Sequence, residues 1–371
     1  MERYNGQPLR PKPHIAVLFY DSIGDFVVIT PLLRGLRQKY PGCTLDYFSG
    51  ERIRELEEAC PYIDSRFSIF GVSDSLRRLP QYIEERERVA GPYDLAVNCD
   101  FHGVVSVVTT MLNSRYVIGS CYDADARNEM PYPPLKRHDI HKEIWSSEDF
   151  LPRYTDILKS NFIGEIFCRL ADVETDFHRT EVPVSPPPFE PPPVLISTGG
   201  KRPAKFWPTK HWETFINWCT QHGLEVGLLG DKPAQQQRHY HSAGTEDYLL
   251  QKTALRDLRG TMTLPQVAGA LQRARACVTI DNGIMHIAYS VGTLTLALFG
   301  ASPACLWAPQ VPNLVIVPPE TSCPLCQERA FKNEDCLRSD HICMETITPE
   351  AVTNRLAAML AGRVEPEAAQ N

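Results

Sequence analysis

HIAVLFYDSIGDFVVITPLLRGLRQKY, residues His14–Tyr40, reads as one strand, one tight turn and one helix. His14–Tyr20 is almost wholly apolar and rich in strand formers, the pattern of a strand buried on both faces of a parallel sheet. From Asp25 onward Val28, Leu32, Leu36 and Tyr40 recur at helical spacing. Gly24 lies in the connecting turn, where the missing side chain permits close backbone approach, and the helix N-terminus beyond it attracts anions. The same unit repeats downstream. TLDYFS (Thr44–Ser49), RFSIF (Arg66–Phe70) and YDLAVNCD (Tyr93–Asp100) read as strands. ERIRELEEAC (Glu51–Cys60), Ser75–Ala90 and an apolar stretch beginning near His102 read as helices. Strand–helix alternation of this kind predicts a parallel sheet with helices on both faces.

A second series follows Pro183–Pro193, PVSPPPFEPPP, where seven of the chain's 31 prolines fall. Such a run cannot hold a helix or a central strand and predicts an extended, semi-rigid connector. Beyond it VLIST (Val194–Thr198), EVGLLG (Glu225–Gly230), ACVTID (Ala276–Asp281) and LTLALFG (Leu294–Gly300) alternate with helices at His211–His222, Leu264–Ala274 and Gly283–Val291. The expectation is two doubly wound α/β domains, residues 1–182 and 194–371, joined by a 183–193 linker, with ligands bound in a cleft at the carboxyl ends of the strands. The sequence of residues 136–181 is mixed and assigns no elements.

Composition sets the class. A chain of 371 residues with 43% hydrophobic and 22% charged residues is long enough for two globular cores. Its net charge of −7 excludes a basic field for nucleic acid or anionic membrane. No apolar run approaches the roughly 18 residues of a membrane span. MERYNGQPLRPKPH (Met1–His14) lacks the apolar core of a signal peptide, so a cytoplasmic protein is expected. Its 12 cysteines then read as reduced thiols or metal ligands, not as a disulfide scaffold.

Four places could carry chemistry. Asp25 stands where the helix dipole keeps a carboxylate ionised, suited to a general base; a first-turn or capping residue is the plainer reading of the local sequence. After VLIST, Gly199-Gly200-Lys201 and Lys205 offer backbone N–H groups and a point charge to a phosphate; a turn with a solvated lysine is the plainer alternative. At Asp281-Asn282-Gly283 a strand meets a helix, and a diphosphate could sit on the Asn282 and Gly283 N–H groups with His286 donating a further bond. His286 could equally be a structural histidine. Cys323-x2-Cys326-x9-Cys336-x6-Cys343 supplies four thiolates, enough for tetrahedral zinc or iron, or four unligated thiols packing a loop. The other eight cysteines read as small core hydrophobes. His138-x2-His141 and His239-x-His241 lack partner ligands nearby in sequence.

Taken in order, SIGD (Ser22–Asp25) with TPLLRGLRQKYP (Thr30–Pro41) after it, DFHG (Asp100–Gly103), KFWP (Lys205–Pro208), DNGIMHIA (Asp281–Ala288) and LFG (Leu298–Gly300) resemble the bacterial heptosyltransferases, glycosyltransferase family nine. The resemblance implies a GT-B fold of two Rossmann-like domains and an inverting transfer from a nucleotide sugar, commonly ADP-heptose. It implies Asp25 as base and Lys205 as phosphate-binding lysine, and assigns Asp281, Asn282, Gly283 and His286 to the donor loop. Gly200, Lys201 and Met262 would line the nucleotide pocket, and His102 would lie on the acceptor side. A glycan, lipid-linked or protein hydroxyl would be the acceptor, with lipopolysaccharide biosynthesis a natural setting and an oligomer compatible with it. No catalytic metal is expected. The segment ending CMETITPE (Cys343–Glu350) is similar to a branch that glycosylates autotransporter proteins and holds iron with such cysteines, which implies structural iron or zinc at Cys323, Cys326, Cys336 and Cys343. Departures from the pattern are Asn282 for the usual threonine, DFHG for DLQG, and Ser106 for a lysine. Asp231 or Gln235 would have to take the place of a ribose-gripping acid. Rival readings are a nucleotide-sugar epimerase or hydrolase on the same fold, and a non-catalytic nucleotide-sugar-binding protein.

Overall fold

Twelve strands form two six-stranded parallel sheets in a computed structural model describing residues 1–123, 125, 128–232, 240–242 and 244–362. The chain divides into one compact unit, Met1–Glu181, and a second beginning at Val182. No helix of the described residues is long and apolar enough to cross a membrane.

In the first unit β1 (Glu2–Arg3), β2 (His14–Leu18), β3 (Thr44–Gly50), β4 (Ser65–Phe70), β5 (Leu95–Asn98) and β6 (Tyr116–Ile118) lie in the order β1-β6-β5-β2-β3-β4. All five residues of β2 are buried, as its unbroken apolar run requires of a central strand. Helix Ile23–Lys39 follows, its N-terminus capped by the Ser22 hydroxyl, which accepts from the Asp25 N–H at 3.4 Å. Glu51–Cys60, read as one helix, is instead a 3-10 turn (Glu51–Ile53) leading into a short helix, Arg54–Glu58. The unread region contains helix Ile163–Leu170, which packs on helix Ile23–Lys39. Gly164 makes that approach possible, since a Cβ there would lie 2.9 Å from the Val28 carbonyl oxygen.

The second unit holds β7 (Val194–Ser197), β8 (Val226–Leu228), β9 (Arg256–Asp257), β10 (Ala276–Ile280), β11 (Leu294–Leu298) and β12 (Leu314–Val317), ordered β12-β11-β10-β7-β8-β9. Its core gathers Trp207, Trp212 and Phe215 with the inward residues of β7, β10 and β11. The proline-rich stretch lies along this unit: the Ser185 N–H donates to the Pro265 carbonyl at 2.9 Å, and the Arg256 guanidinium covers the Phe189 ring.

Strand order locates the ligand crevices. In the first unit the chain runs β2→β3→β4 outward one way, then crosses to β5→β6 on the other side. The second unit repeats this with β7→β8→β9 and then β10→β11→β12. With right-handed crossovers the two series place their helices on opposite faces, and a crevice opens where the direction reverses. The reversals fall between β2 and β5 and between β7 and β10. Asp25 and His102 follow the first pair of strands; Gly200, Lys201, Lys205 and Asp281–His286 follow the second.

Candidate functional site

At the first reversal Leu18 pairs with Asn98, so the residues just beyond them share one edge of the sheet. Asp25 is a half-buried third residue of helix Ile23–Lys39, and its carboxylate accepts from the Ser22 hydroxyl, which in turn accepts the Asp25 N–H. Opposite it, Asp100 is buried, and its Oδ1 accepts from both the N–H and the Nδ1 of His102 at 2.6 Å each. The His102 ring stacks on Tyr20 with centroids 4.6 Å apart and planes 10° from parallel. Asp100 is itself fixed by its N–H to the Asn98 Oδ1 at 2.8 Å. Asp21 is buried beneath, with Oδ1 accepting the Arg52 N–H at 3.0 Å. Ser106, on the acceptor strip by resemblance, is buried in helix Gly103–Met111.

At the second reversal the Lys205 ammonium meets the Asp281 carboxylate at 2.5 Å. Burial raises the Asp281 carboxyl, but Lys205 and then His286 outweigh it and hold the group below the ordinary carboxylate range. Asn282 caps helix Gly283–Ser290: its Oδ1 accepts the Ile284 and Met285 N–H groups at 3.0 and 3.2 Å. Its Nδ2 donates to Ser197 Oγ and the Gly199 carbonyl at 3.1 and 3.0 Å, tying the β7 and β10 loops together. The Asn282 and Gly283 N–H groups lie outside that capping set and face the helix's positive end.

Other expected residues are placed differently. The Gly200 N–H is already committed to the His241 carbonyl at 3.1 Å, so a short bridge, not a phosphate, takes the donor that paired glycines suggested. Buried His286 has its Nδ1 2.7 Å from the Tyr289 hydroxyl and its Nε2 3.9 Å from Asp281; burial pushes its pKa down to about 4, leaving a neutral ring. Lys201 is exposed, and Met262 is half-buried in the turn between β9 and helix Leu264–Arg273. Asp231 is exposed beyond β8, while Gln235 and His239 lie outside the described residues. His138 and His141 form a stacked group with Tyr132, and burial lowers both imidazoles.

The four cysteines share one neighbourhood: burial first, then the proximity of Cys326, Cys336 and Cys323, pushes Cys343 up to about 11. Cys326 and Cys343 are buried in the second unit's core, and the Cys326 sulfur accepts from Asn333 at 3.3 Å. Yet among the described residues no three His, Cys, Asp or Glu side chains are placed to hold a metal ion. What the segment does contact is the Lys205 loop. Ala204 N–H donates to Glu334 at 2.9 Å, Arg202 Nε to Asn333 at 2.7 Å, and His341 Nε2 to Ala204 at 2.7 Å.

Sequence reasoning missed Tyr20, Asp100 as a partner of His102, Ser197 and Tyr289. Two signals were present: Asp100-x-His102 has the spacing of an Asx turn, and His286 and Tyr289 are three residues apart on one helix.

Residues 86–336, more than half of the chain, match the family described as glycosyltransferase family 9 (heptosyltransferase). The chain belongs to that family. Family 9 relatives include lipopolysaccharide heptosyltransferase 3 of Escherichia coli, 20% identical over 311 residues that cover 79% of this chain and 85% of the relative. Among solved structures, the family 9 glycosyl transferase of Veillonella parvula DSM 2008 superposes with a TM-score of 0.69 at 16% identity, covering 95% of this chain and 99% of that one. The dodecameric iron-containing glycosyltransferase TibC of enterotoxigenic E. coli H10407 gives 0.57 at 15%, covering 95% and 78%, and has also been solved with ADP-D-β-D-heptose. The fold class of this family 9 glycosyltransferase is GT-B, as two doubly wound parallel units lead one to expect.

Proposed function

We propose that this glycosyltransferase moves a heptose from ADP-heptose to a glycan, lipid-linked or protein hydroxyl, inverting the anomeric centre. One observation carries the reading: the second reversal joins a cation, Lys205, to a capped helix N-terminus at Asn282–Gly283. In a chain of net charge −7 a diphosphate needs such a local site, because the overall field repels it. Asp25 takes the proton of the acceptor hydroxyl as that oxygen attacks the anomeric carbon. The bond to the diphosphate oxygen breaks in the same step, and Lys205 with the Gly283 helix end stabilises the charge that develops there. Buried His286 stays neutral beside Asp281, its Nδ1 paired with the Tyr289 hydroxyl, so Lys205 is what keeps the Asp281 carboxylate ionised. The step uses no metal. Lipopolysaccharide biosynthesis is the setting that the relatives' names favour, and a higher oligomer is consistent with the assembly stated for TibC.

A thermal-shift screen of ADP-, UDP-, GDP- and dTDP-sugars tests the donor. ADP-heptose at a hundredfold excess over its Kd should add about 2.7 kcal/mol, roughly 5–10 °C in Tm. An equal or larger shift with another nucleotide would overturn the adenine assignment. Release of ADP that needs no acceptor would turn the reading toward a hydrolase.

We also propose that Cys323, Cys326, Cys336 and Cys343 close on a structural iron or zinc ion. The thiol donor set supports this, as does the neighbourhood that the four sulfurs share. The ion would brace the loop carrying Lys205 and take no part in transfer. Protein purified without chelator should hold about one metal per chain by elemental analysis, lost in Cys323→Ser together with thermal stability. Metal-free wild-type protein would end the idea.

A further inference from the structure

We propose that Lys205 is positioned from outside its own loop, by residues 333–347, and that His341 is the positioning residue. The proposal rests on the transferase reading and deepens it, since Lys205 is the cation offered to the donor diphosphate. Lys205 ends a 3-10 turn, Pro203–Lys205, only three residues long. The turn closes on two bonds, from the Lys205 N–H to the Arg202 carbonyl at 3.0 Å and from the Phe206 N–H to the Pro203 carbonyl at 2.9 Å. So short a turn does not support itself, and Gly199-Gly200 on its entry side adds backbone freedom. Its place has to be set by what it packs against.

The supports come from the segment that carries Cys336 and Cys343. Ala204, immediately before Lys205, is wholly buried, and both of its backbone groups bond there. Its N–H donates to the Glu334 carbonyl at 2.9 Å, and its carbonyl accepts from His341 Nε2 at 2.7 Å. Arg202 Nε donates to the Asn333 carbonyl at 2.7 Å, and beyond the lysine Trp207 Nε1 donates to the Ile347 carbonyl at 2.7 Å. Of these four bonds, the one from His341 is made by a side chain of the segment; the others use its backbone. The Ala204 carbonyl belongs to the planar peptide that leads into Lys205, and the N–H of that same peptide is the one bonded to Arg202. With both edges of the plane held, the direction in which the lysine side chain leaves the chain is set. His341 itself has φ +43°, a left-handed conformation uncommon for a residue with a Cβ, which persists where surrounding contacts determine it.

Two substitutions in the full chain differ in reach. Glutamine carries its amide nitrogen as many bonds from Cα as histidine carries Nε2, whereas the asparagine amide falls short but tolerates the left-handed backbone. In His341→Asn, ADP-heptose affinity read by titration calorimetry should weaken about three- to ten-fold. His341→Gln should return it to within about two-fold of wild type. In a Lys205→Ala background, His341→Asn should change affinity by less than about two-fold, because its effect runs through the lysine. A histidine that served the fold alone would lower Tm and leave donor affinity where it was. Unchanged affinity in His341→Asn, no recovery in His341→Gln, or an equal loss with and without Lys205 overturns the proposal. Wild-type protein that fails to bind ADP-heptose is a different failure: the donor reading has then gone first, and this one with it.

Discussion

Asp25→Asn should lower the rate of transfer by about 10²- to 10⁴-fold and leave ADP-heptose binding within about two-fold. The argument starts from the helix. Ser22 caps Ile23–Lys39 through the Asp25 N–H, a backbone contact that the substitution preserves. Asparagine is nearly isosteric and still accepts from the Ser22 hydroxyl, so the loop keeps its shape. What disappears is the negative charge and with it the capacity to take a proton. Losing a carboxylate from the first turn costs about 0.3–1 kcal/mol of helix stability, too little to unfold the unit. The effect should therefore fall on kcat, with the donor's thermal shift unchanged. Asp25 belongs to the unit Met1–Glu181, whereas Lys205 and the Gly283 helix belong to the other, which makes the two functions separable by mutation. A variant that still turned over but no longer responded to ADP-heptose would remove Asp25 from the role of base.

The strands and their order of appearance were legible because parallel, doubly buried strands are unbroken apolar runs: β2, β7, β10 and β11 lie within the stretches read for them. Two-residue β1 and β9 were not, since pairs such as Glu2–Arg3 and Arg256–Asp257 carry no period and owe their pairing to a neighbour. Helix Ile163–Leu170 stayed hidden because, although Ile163, Ile166, Phe167 and Leu170 recur at helical spacing, eight residues are too short a run for that period to stand out from the mixed sequence around it. For the sites, sequence found the anchors and missed what holds them. Lys205, Asp281 and Asn282 were singled out, but Ser197 lies 85 residues from Asn282 and meets it only through the β7–β10 register. Gly200 shows the converse: a glycine pair reads as free N–H groups until His241, far along the chain, takes one of them.

Lys205→Ala should act twice, on the donor and on the fold. Charge-assisted hydrogen bonds to a diphosphate contribute about 1.5–3 kcal/mol, so ADP-heptose affinity should drop roughly 10- to 100-fold. The second effect comes from Asp281. Its side chain is 4% exposed, and Lys205, at 2.5 Å, is the strongest influence opposing the burial that would otherwise raise its pKa. Removing one partner of such a buried pair costs about 3–5 kcal/mol; Lys205 is itself 19% exposed, which puts the expected loss at the lower end. The pH dependence has a definite sign. A depressed carboxyl adds stability that is complete above its unfolded pKa and is lost as pH falls through the lower folded value. Without Lys205 the folded value rises, so acid unfolding should begin at higher pH than in the wild type. Adding Asp281→Asn removes the uncompensated charge, and the double variant Lys205→Ala/Asp281→Asn should regain most of the stability without regaining donor affinity. Recovery of both would mean that Lys205 serves the fold alone and that the diphosphate is held by the helix end at Gly283. Recovery of neither would mean that the Asp281 carboxylate supports the fold through contacts beyond the lysine. Urea titration read alongside the ADP-heptose thermal shift separates the three cases, because stability and affinity are then measured on the same three proteins.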